Sequence, residues 1–372
     1  MSSIFSAADF GAEGTPPEPK ERNYESGIYR VSRVRDQMRH GYTHGKPRGT
    51  TTYYREFDQH WTHKPGEVTL TTGYANMGKS EMLNELTLAK SAAEPDKRWG
   101  IFSPENTPAD EFYDNLVHKL TGYSADPDWC KQYGQLQVSA AAYERAMDWL
   151  DEHFIFIYPE EETPTLECLM DYFDYLHGQV GLYGVEIDPW NQITHQMKGL
   201  RDDQYLSEVL SELKRWTVKR NYCTHLTAHP TQVKKGDGPL PVPDQFLLNQ
   251  GAMFGNKLDN ILANHRPNYH ENKADTAVQW WSHKIKKQKR VGRPGFVDMD
   301  FNYLANRYTL NGVSPLDALA AWIFKGIPLT EAGTAAQSAR VTTHELKPLM
   351  VASTFESEAP TSHLPRTGPP PF

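Results

Sequence analysis

The chain has 372 residues and a formal net charge of −8 at pH 7, which allows one large α/β domain and excludes a global positive field that would attract nucleic acid. Its three cysteines lack C-x-x-C spacing, which excludes a zinc ribbon and indicates reduced thiols. The sequence has no long apolar run and no basic N-terminal leader, so we predict a cytoplasmic protein without a membrane partner.

Residues 1–45 are predicted to form an N-terminal arm and linker helix. The residues before Asn23 are rich in Gly, Pro and Glu and are predicted to be flexible. A helical pattern follows, with Val31, Val34 and Met38 on one face and arginines on the others. The stretch HGKPRGTTTYY interrupts this pattern, and the main domain is predicted to span residues 46–312.

Eight strands are predicted within the main domain. Helical patterns separate the first five, which predicts an α/β fold with a mostly parallel sheet and helices on both faces. The last strands lie closer together in sequence, which predicts antiparallel strands at one edge. The predicted strands are Val68–Thr72, Trp99–Ser103, Phe154–Tyr158, Val185–Asp188, Thr224–Ala228, Asn260–Ala263, Ala277–Ser282 and Phe296–Phe301.

Two further segments follow the main domain. Residues 313–350 are Ala-rich and are predicted to form a small helical extension, which either packs on the main domain as a helical pair or forms a helix-turn-helix. Residues 351–372 are Pro-rich and are predicted to be a disordered tail.

Residues 71–83 read TTGYANMGKSEML and fit the pattern G-x-x-x-x-G-K-[ST]. In such a loop, backbone N–H groups surround phosphates, the lysine contacts the β- and γ-phosphate oxygens, and the hydroxyl residue binds Mg²⁺. A predicted strand precedes the loop and a helical pattern follows it, which directs a helix N-terminus at the anion. The predicted nucleotide-binding residues are Gly73, Ala75, Asn76, Met77, Gly78, Lys79, Ser80 and Glu81.

Two carboxylates end predicted strands downstream of this loop. Asp188 ends an apolar strand and is placed to bind, together with Ser80, the Mg²⁺ ion of a nucleotide. Glu105 follows the second strand and is suited to orient or deprotonate an attacking water. The alternative is that both are ordinary loop or cap residues. Side chains alternate between the two faces of a strand, so Glu186 points to the same face as Asp188. Glu186 is therefore a candidate buried partner of Asp188.

The order of these motifs resembles a known family. The segments PGEVTLTTGYANMGKSEML, WGIFSPEN, GVEIDPWNQ, LTAHPTQVKK, GAMFGNKLDN and GRPGFVDMDFN are similar to those of superfamily 4 hexameric replicative DNA helicases, which include DnaB, Twinkle and phage primase–helicases. The resemblance covers about residues 46 to 308. It implies a RecA-like fold, a ring of six subunits with nucleotide sites between neighbours, and single-stranded DNA in a central channel.

The resemblance also implies roles for individual residues. Glu105 matches the family's catalytic glutamate and Asp188 its Mg²⁺ aspartate. His229 matches a residue that senses the γ-phosphate, although a histidine in this position could equally be a packing residue. Arg266 and Phe301 lie where the family clamps the nucleotide base by cation–π and stacking contacts.

Two segments after His229 are predicted to contact DNA. The loop PTQVKKGDGPLPVP is polar and rich in Gly and Pro, and its Lys234 and Lys235 suit contacts with the phosphate backbone. In the segment LLNQGAMFG, Asn249, Gln250 and Gly251 are predicted to let the backbone approach DNA closely.

The sequence departs from the family where an arginine usually reaches the neighbouring subunit's nucleotide. Here the segment reads SHKIKKQKRVGRPG. The family's spacing places Lys284 and Lys286 at the functional positions, whereas Arg290 has the more suitable planar guanidinium. A solvated basic stretch is the third interpretation.

The predicted function is an NTP-driven hexameric DNA helicase that uses ATP or another NTP with Mg²⁺ and moves along single-stranded DNA, with a 5′ to 3′ direction expected from the family. The chain shows no primase or zinc domain, which suggests a phage-like replicative helicase of the host cytoplasm that works with replication partner proteins. Two alternatives remain open at this level: a RecA-like recombination or repair ATPase that does not unwind DNA, and a nucleotide-dependent assembly or loader ring.

Overall fold

The computed structural model describes residues 24–160, 163–197, 199–231 and 240–331. The predicted flexible start, Lys234, Lys235, most of the predicted extension and the predicted tail lie outside these ranges. The chain divides into two units, Met1–Pro47 and Arg48–Phe372. Within the described part, no helix is both long and apolar enough to cross a membrane.

The second unit is built around one nine-stranded sheet in the order β3-β2-β4-β5-β1-β6-β7-β8-β9. The strands are β1 Glu67–Thr72, β2 Trp99–Phe102, β3 Phe154–Ile157, β4 Gly184–Ile187, β5 Cys223–Ala228, β6 Asn260–His265, β7 Ala277–Ile285, β8 Gly295–Asn302 and β9 Arg307–Thr309.

The pairing confirms the predicted α/β class with a mostly parallel sheet and an antiparallel edge. Strands β1 to β6 pair in parallel, and β7, β8 and β9 extend the sheet in antiparallel fashion. The sequence analysis grouped β6 with the antiparallel edge, but β6 pairs in parallel with the central β1. The short β9 was not predicted because three residues carry too little periodicity to distinguish a strand from a turn.

Twelve helices accompany the strands in the described residues. They are α1 Tyr24–Gly27, α2 Val31–His44, α3 Arg55–Asp58, α4 Lys79–Ala93, α5 Ala109–Thr121, α6 Pro127–Tyr133, α7 Ala140–His153, α8 Leu166–Val180, α9 Asp202–Arg220, α10 Gly251–Lys257, α11 Gln288–Val291 and α12 Pro315–Leu319.

Apolar clusters cover both faces of the sheet. On one face, Val68, Val185 and Leu226 pack with side chains of α8, α9 and α10. On the other, Trp99 and Ile101 pack with side chains of α4, α5, α7 and α12. Successive strand residues point to opposite faces, so the strands are buried on both sides, although β1, β4 and β5 also carry buried polar residues. A sheet covered on both faces leaves the ends of its parallel strands as the place for a site.

The residues after β9 belong to this packed unit as far as they are described. Leu316, Ala320, Ile323 and Phe324 are buried in the cluster that also contains side chains of α4 and α5. The described start of the predicted extension therefore contributes to the core.

The first unit consists of helices α1 and α2 in its described residues. Helix α2 corresponds to the helix predicted from the Val31, Val34 and Met38 pattern. Val31 is 59% exposed and Met38 50% exposed. No residue of α2 is buried.

Candidate nucleotide-binding site

The loop between β1 and α4 lies at the carboxyl edge of the parallel strands. Because β1, β4 and β5 are adjacent and parallel, the residues that follow them converge at this edge. The loop has two residues in the left-handed backbone region, Asn76 with φ 62° and Gly78 with φ 83°. Helix α4 begins at Lys79, so its free N–H groups face the space in front of the loop.

Lys79 is buried under the loop, with 7% of its surface exposed. Its Nζ donates a hydrogen bond to the Tyr74 carbonyl at 3.3 Å. Burial lowers the pKa of the Lys79 ammonium, and the nearby Asp188 and Glu105 carboxylates partly offset this effect. The structure therefore brings Lys79, Asp188 and Glu105 near one another, and their roles in nucleotide binding stay predictions.

Asp188 is buried beside the loop and is held by two hydroxyl groups. Ser103 Oγ donates to Asp188 Oδ2 at 3.2 Å, and Thr227 Oγ1 donates to Asp188 Oδ1 at 2.5 Å. Asn106 Nδ2 donates in turn to Ser103 Oγ at 2.7 Å. These hydrogen bonds fix the orientation of the Asp188 carboxylate.

Glu105 and His229 lie against each other at the same edge. Glu105 Oε1 is 3.5 Å from His229 Nε2 and accepts a hydrogen bond from Gln192 Nε2 at 3.3 Å. Burial lowers the pKa of His229, as does the Lys79 charge, whereas Glu105 and Asp188 act in the opposite direction. The side chain of Glu105 is 46% exposed and open to a water molecule, whereas Asp188 is enclosed.

The residues at this edge fit a magnesium ion. Mg²⁺ prefers oxygen ligands, is held by one or two protein carboxylates or hydroxyls, and keeps several waters. Asp188 supplies an oriented carboxylate, and Ser80, in the first turn of α4, supplies a hydroxyl. The chemistry of this donor set matches the ion that accompanies nucleotide phosphates.

A second carboxylate, Glu186, lies two residues before Asp188 on β4 and is only 1% exposed. Burial, together with the Asp188 charge, raises the pKa of Glu186 to about 8, so most of this group is protonated at pH 7. Its Oε1 has no hydrogen-bond partner in the described residues. Glu186 is thus a neutral buried acid, unlike the half-exposed Glu105.

The two residues predicted to hold the nucleotide base are both half-buried but have different contacts. Arg266 is beside the loop, where it donates to the Asn76 carbonyl at 3.4 Å and lies over the Tyr269 ring at 4.5 Å. Phe301 is half-buried and contacts Tyr308, with ring centroids 5.0 Å apart. Arg266 is close to the loop, and the roles of both residues stay predictions.

Glu81 contacts helix α5. Its carboxylate is 3.0 Å from Lys119 Nζ and accepts a hydrogen bond from Asn115 Nδ2 at 3.1 Å. Met77, also in the predicted set, is buried under the loop. Nucleotide contacts by these two residues stay predictions.

A cleft of about 190 Å³ lies beside the site. Its lining includes His229 and, from the second predicted DNA-binding segment, Asn249 and Gln250. Gly251 begins α10, and a Cβ there would lie 1.5 Å from the Gln245 carbonyl oxygen. Close packing within the chain therefore requires this glycine, whether or not DNA approaches it.

The basic run, residues 284–290, begins at the end of β7 and lies at the edge of the sheet opposite the phosphate loop. Ile285, at the end of β7, pairs with Asn260 at the start of β6. Lys284 Nζ donates to the carbonyls of Gly255 and Leu258, the latter at 2.7 Å, and Lys286 Nζ is 3.7 Å from Asp259. Lys284 and Lys286 thus lie at the edge of the sheet opposite their own phosphate loop, and a role for Lys284, Lys286 or Arg290 at a neighbouring nucleotide stays a prediction.

Five residues at the site have no role among the predictions from the sequence. They are Ser103, Gln192, Thr227, Asn264 and Tyr308. Ser103 directly follows β2, Gln192 lies in the segment after β4, and Thr227 is near the end of β5, and this position at the carboxyl ends of parallel strands is the signal that could have identified them. Asn264 and Tyr308 contact the back of the phosphate loop from β6 and β9, a contact without any local sequence pattern.

Comparisons with known proteins agree with this geometry. No family model matches the sequence. A curated relative, the Twinkle homolog protein, chloroplastic/mitochondrial, of Arabidopsis thaliana, is 25% identical over 275 residues, which are 73% of this chain and 38% of the relative. The chain therefore spans well under half the length of that protein.

Two solved structures are similar in fold. One, described as an ATPase domain, gives a TM-score of 0.62 at 12% identity, over 76% of this chain and 99% of that chain. A DnaB-like replicative helicase, described with its interactions with primase, gives a TM-score of 0.58 at 13% identity, over 76% of this chain and 67% of that chain. The RecA-like fold and the resemblance to the ATPase domains of DnaB-like and Twinkle-like helicases are confirmed.

Proposed function

We propose that this protein is an NTP-driven DNA helicase that assembles as a hexamer and moves along single-stranded DNA. The observation that carries the proposal is the convergence of Lys79, Glu105, Asp188 and His229 at one edge of a RecA-like sheet. The solved structure named as a DnaB-like replicative helicase, similar in fold, supports the same activity.

In this proposal the N–H groups of the phosphate loop bind the nucleotide, and Lys79 contacts its β- and γ-phosphates. Ser80 and Asp188 hold the Mg²⁺ ion, which neutralises charge on the phosphates when bound. Glu105 is open to solvent and, among the described residues, has Gln192 and His229 as its close partners. It orients a water for attack on the γ-phosphate and accepts its proton.

His229 connects hydrolysis to DNA in this proposal. It contacts Glu105 through its ring, and its backbone N–H donates to Asn191 Oδ1 at 3.2 Å. The cleft beyond it reaches Asn249 and Gln250. Loss of the γ-phosphate would change the contact between Glu105 and His229. The segments that carry His229 and Asn249 would then move relative to bound DNA.

The test is a strand-displacement assay on forked DNA with ATP and Mg²⁺, with Lys79→Ala as the matched variant. We expect the wild-type chain to unwind the fork with turnover, and the variant to lose hydrolysis because alanine removes the ammonium that contacts the β- and γ-phosphates in this proposal. A 5′ tail is the expected requirement.

Each alternative outcome excludes a different part of the proposal. Hydrolysis that DNA stimulates without unwinding would favour a recombination or repair ATPase. Hydrolysis without any effect of DNA would favour a loader ring. Normal turnover in Lys79→Ala would contradict the assignment of the phosphate loop itself.

A further inference from the structure

The carbonyl of Gly78 is held from behind by two buried side chains. Asn264 Nδ2 donates to Gly78 O at 2.6 Å, and Tyr308 Oη donates to the same oxygen at 3.1 Å. Asn264 Nδ2 also lies 2.8 Å from Tyr308 Oη. Asn264 is 0% exposed and Tyr308 1% exposed, so water does not compete for these bonds.

Both donors have a defined orientation. A carbonyl oxygen can only accept, so the amide nitrogen of Asn264, and not its oxygen, must face Gly78. Burial, together with the Glu81 charge, raises the pKa of the Tyr308 hydroxyl well above its usual value, so that this group keeps its proton and remains a donor.

This contact determines where the next N–H group points. The peptide bond between Gly78 and Lys79 is planar, so in its trans form the carbonyl oxygen and the following N–H point in opposite directions. A carbonyl held against β6 and β9 therefore directs the Lys79 N–H to the other side, which is the phosphate side of the loop. The same carbonyl accepts the first helical hydrogen bond, from Met82 N at 2.9 Å.

Space as well as hydrogen bonding restricts this position. Gly78 has φ 83°, a conformation that L-residues with a side chain rarely adopt. A Cβ on Gly78 would lie 2.6 Å from Tyr308 Oη and 3.1 Å from Asn264 Nδ2. The glycine of the motif is thus required by the two side chains behind it.

The elements that carry the two donors are themselves fixed. Asn264 is on the parallel strand β6, beside the central β1. The neighbour of Tyr308 on β9, Arg307, donates to the carbonyls of Lys119 and Leu120, the latter at 2.7 Å, and pairs with Asp317 at 2.5 Å. A site held within about half an ångström needs such rigid support.

We propose that Asn264 and Tyr308 are positioning residues for nucleotide binding, which fix the Gly78–Lys79 peptide so that the loop is ready for a phosphate before the nucleotide arrives. This inference rests on the proposed function, because it assumes that the loop binds a nucleotide. The pair acts through the loop and does not itself touch the nucleotide. Tyr308 belongs to the antiparallel edge and Asn264 to β6, and the G-x-x-x-x-G-K-[ST] pattern includes neither.

The test compares two tyrosine-to-phenylalanine variants of the full chain. Tyr308→Phe keeps the ring in its aromatic cluster but removes the hydroxyl from Gly78. Tyr113→Phe is the matched control, because the Tyr113 Oη also donates to a backbone carbonyl, that of Phe154 at 2.8 Å, and not to Gly78. The measurements are the Kd for fluorescently labelled ADP with Mg²⁺, and the melting temperature without nucleotide.

We expect Tyr308→Phe to weaken ADP binding about three- to tenfold, the usual range for one lost hydrogen bond. Tyr113→Phe should lower the melting temperature but leave the Kd unchanged, because its hydrogen bond to Phe154 does not involve the loop. Asn264→Asp, which replaces the donor by a carboxylate oxygen facing a carbonyl, should weaken binding further than Tyr308→Phe. This second variant tests the same contact from β6.

Three results would overturn the inference. They are a wild-type Kd in Tyr308→Phe, an equal loss of affinity in both tyrosine variants, and an Asn264→Asp variant that folds and binds ADP normally. A wild-type chain that bound no nucleotide would instead contradict the proposed function and would remove the inference with it.

Discussion

At the scale of single residues, the site separates two carboxylates by their surroundings. Glu105 is half-exposed and lies against Gln192 and His229, whereas Glu186 is enclosed and mostly protonated at pH 7. A general base must be ionised and must reach a water molecule. Environment, and not residue type, therefore assigns the proposed catalytic role to Glu105.

We predict that Glu105→Gln keeps nucleotide binding but lowers the rate of NTP hydrolysis by about 10²- to 10⁴-fold, because an amide cannot accept the proton. Glu186→Gln is the matched control and should keep most of the activity, since glutamine has the shape of the neutral acid already present. Steady-state hydrolysis and ADP titration measure both effects. A larger loss in Glu186→Gln would show that the wrong carboxylate was chosen.

A pair of buried histidines predicts how stability depends on pH. His63 and His225 have ring centroids 5.8 Å apart, and their ring nitrogens have no hydrogen-bond partners in the described residues. Burial lowers the pKa of His225 to about 3, and burial, with Lys90 and His225 as further causes, lowers the pKa of His63 well below its usual value. Both therefore stay neutral when the folded protein is acidified.

The unfolded chain takes up protons on these histidines below about pH 6.5, whereas His225 in the folded protein does not until near pH 3. The free energy of unfolding should thus fall as pH decreases through this window, by up to about 1.4 kcal/mol per pH unit for each histidine. Urea unfolding between pH 8 and pH 5 measures the slope. A His225→Leu variant should show a shallower slope, and an unchanged slope would contradict the assignment.

At the scale of secondary-structure elements, a buried ion pair joins α4, α5 and the turn before β9. Lys119 and Glu85 are both fully buried, and their charged atoms are 3.0 Å apart. Lys119 Nζ also donates to the Asn306 carbonyl at 2.6 Å. Burial alone would lower the pKa of Lys119, but Glu85 and Glu81 outweigh it and the pKa lies above its usual value.

We predict that Lys119→Met destabilises the fold by about 3–5 kcal/mol, because it leaves the Glu85 carboxylate buried without its partner. Arg201→Met, at an exposed pair with Asp203, is the control and should leave the urea midpoint unchanged. Lys119→Met with Glu85→Gln should recover part of the loss, since no charge is then stranded at Glu85. A Lys119→Met protein as stable as the wild type would refute this account.

At the scale of the whole molecule, the sheet separates the phosphate loop from the basic run. Lys79 is at the carboxyl edge of the parallel strands, whereas Lys284 and Lys286 are at the amino edge beside α10 and Asp259. One subunit therefore cannot bring these groups together. In the proposed ring, a cation from one subunit stabilises charge on the neighbour's γ-phosphate.

We predict that Lys284→Ala and Lys286→Ala each lose hydrolysis alone but regain it when mixed with excess Lys79→Ala subunits, which supply the intact lysine but cannot hydrolyse. Lys287→Ala is the matched control, because Lys287 belongs to the same basic run but pairs with Glu67 at 2.9 Å. Hydrolysis by mixed rings measures the rescue. If only Arg290→Ala is rescued, the planar guanidinium is the acting group and the spacing argument is wrong.

The sequence by itself determined the glycine-containing loop between β1 and α4, the eight longer strands and the order of the motifs. These features depend on local patterns, namely two glycines at fixed spacing, apolar runs of strand length and carboxylates where strands end. Such patterns survive in a single sequence because each is formed by residues that are neighbours along the chain. Helices α2 and α4 followed from the same kind of periodicity.

Only the tertiary structure decided which side chains complete the site. Ser103 and Thr227 orient Asp188, and Asn264 and Tyr308 hold Gly78, although 186 residues separate Asn264 from Gly78 along the chain and 230 separate Tyr308 from it. The strand order also had to be known before Lys284 and Lys286 could be placed opposite the loop. These relations depend on which strands are adjacent in the sheet, and no local pattern in the sequence carries that information.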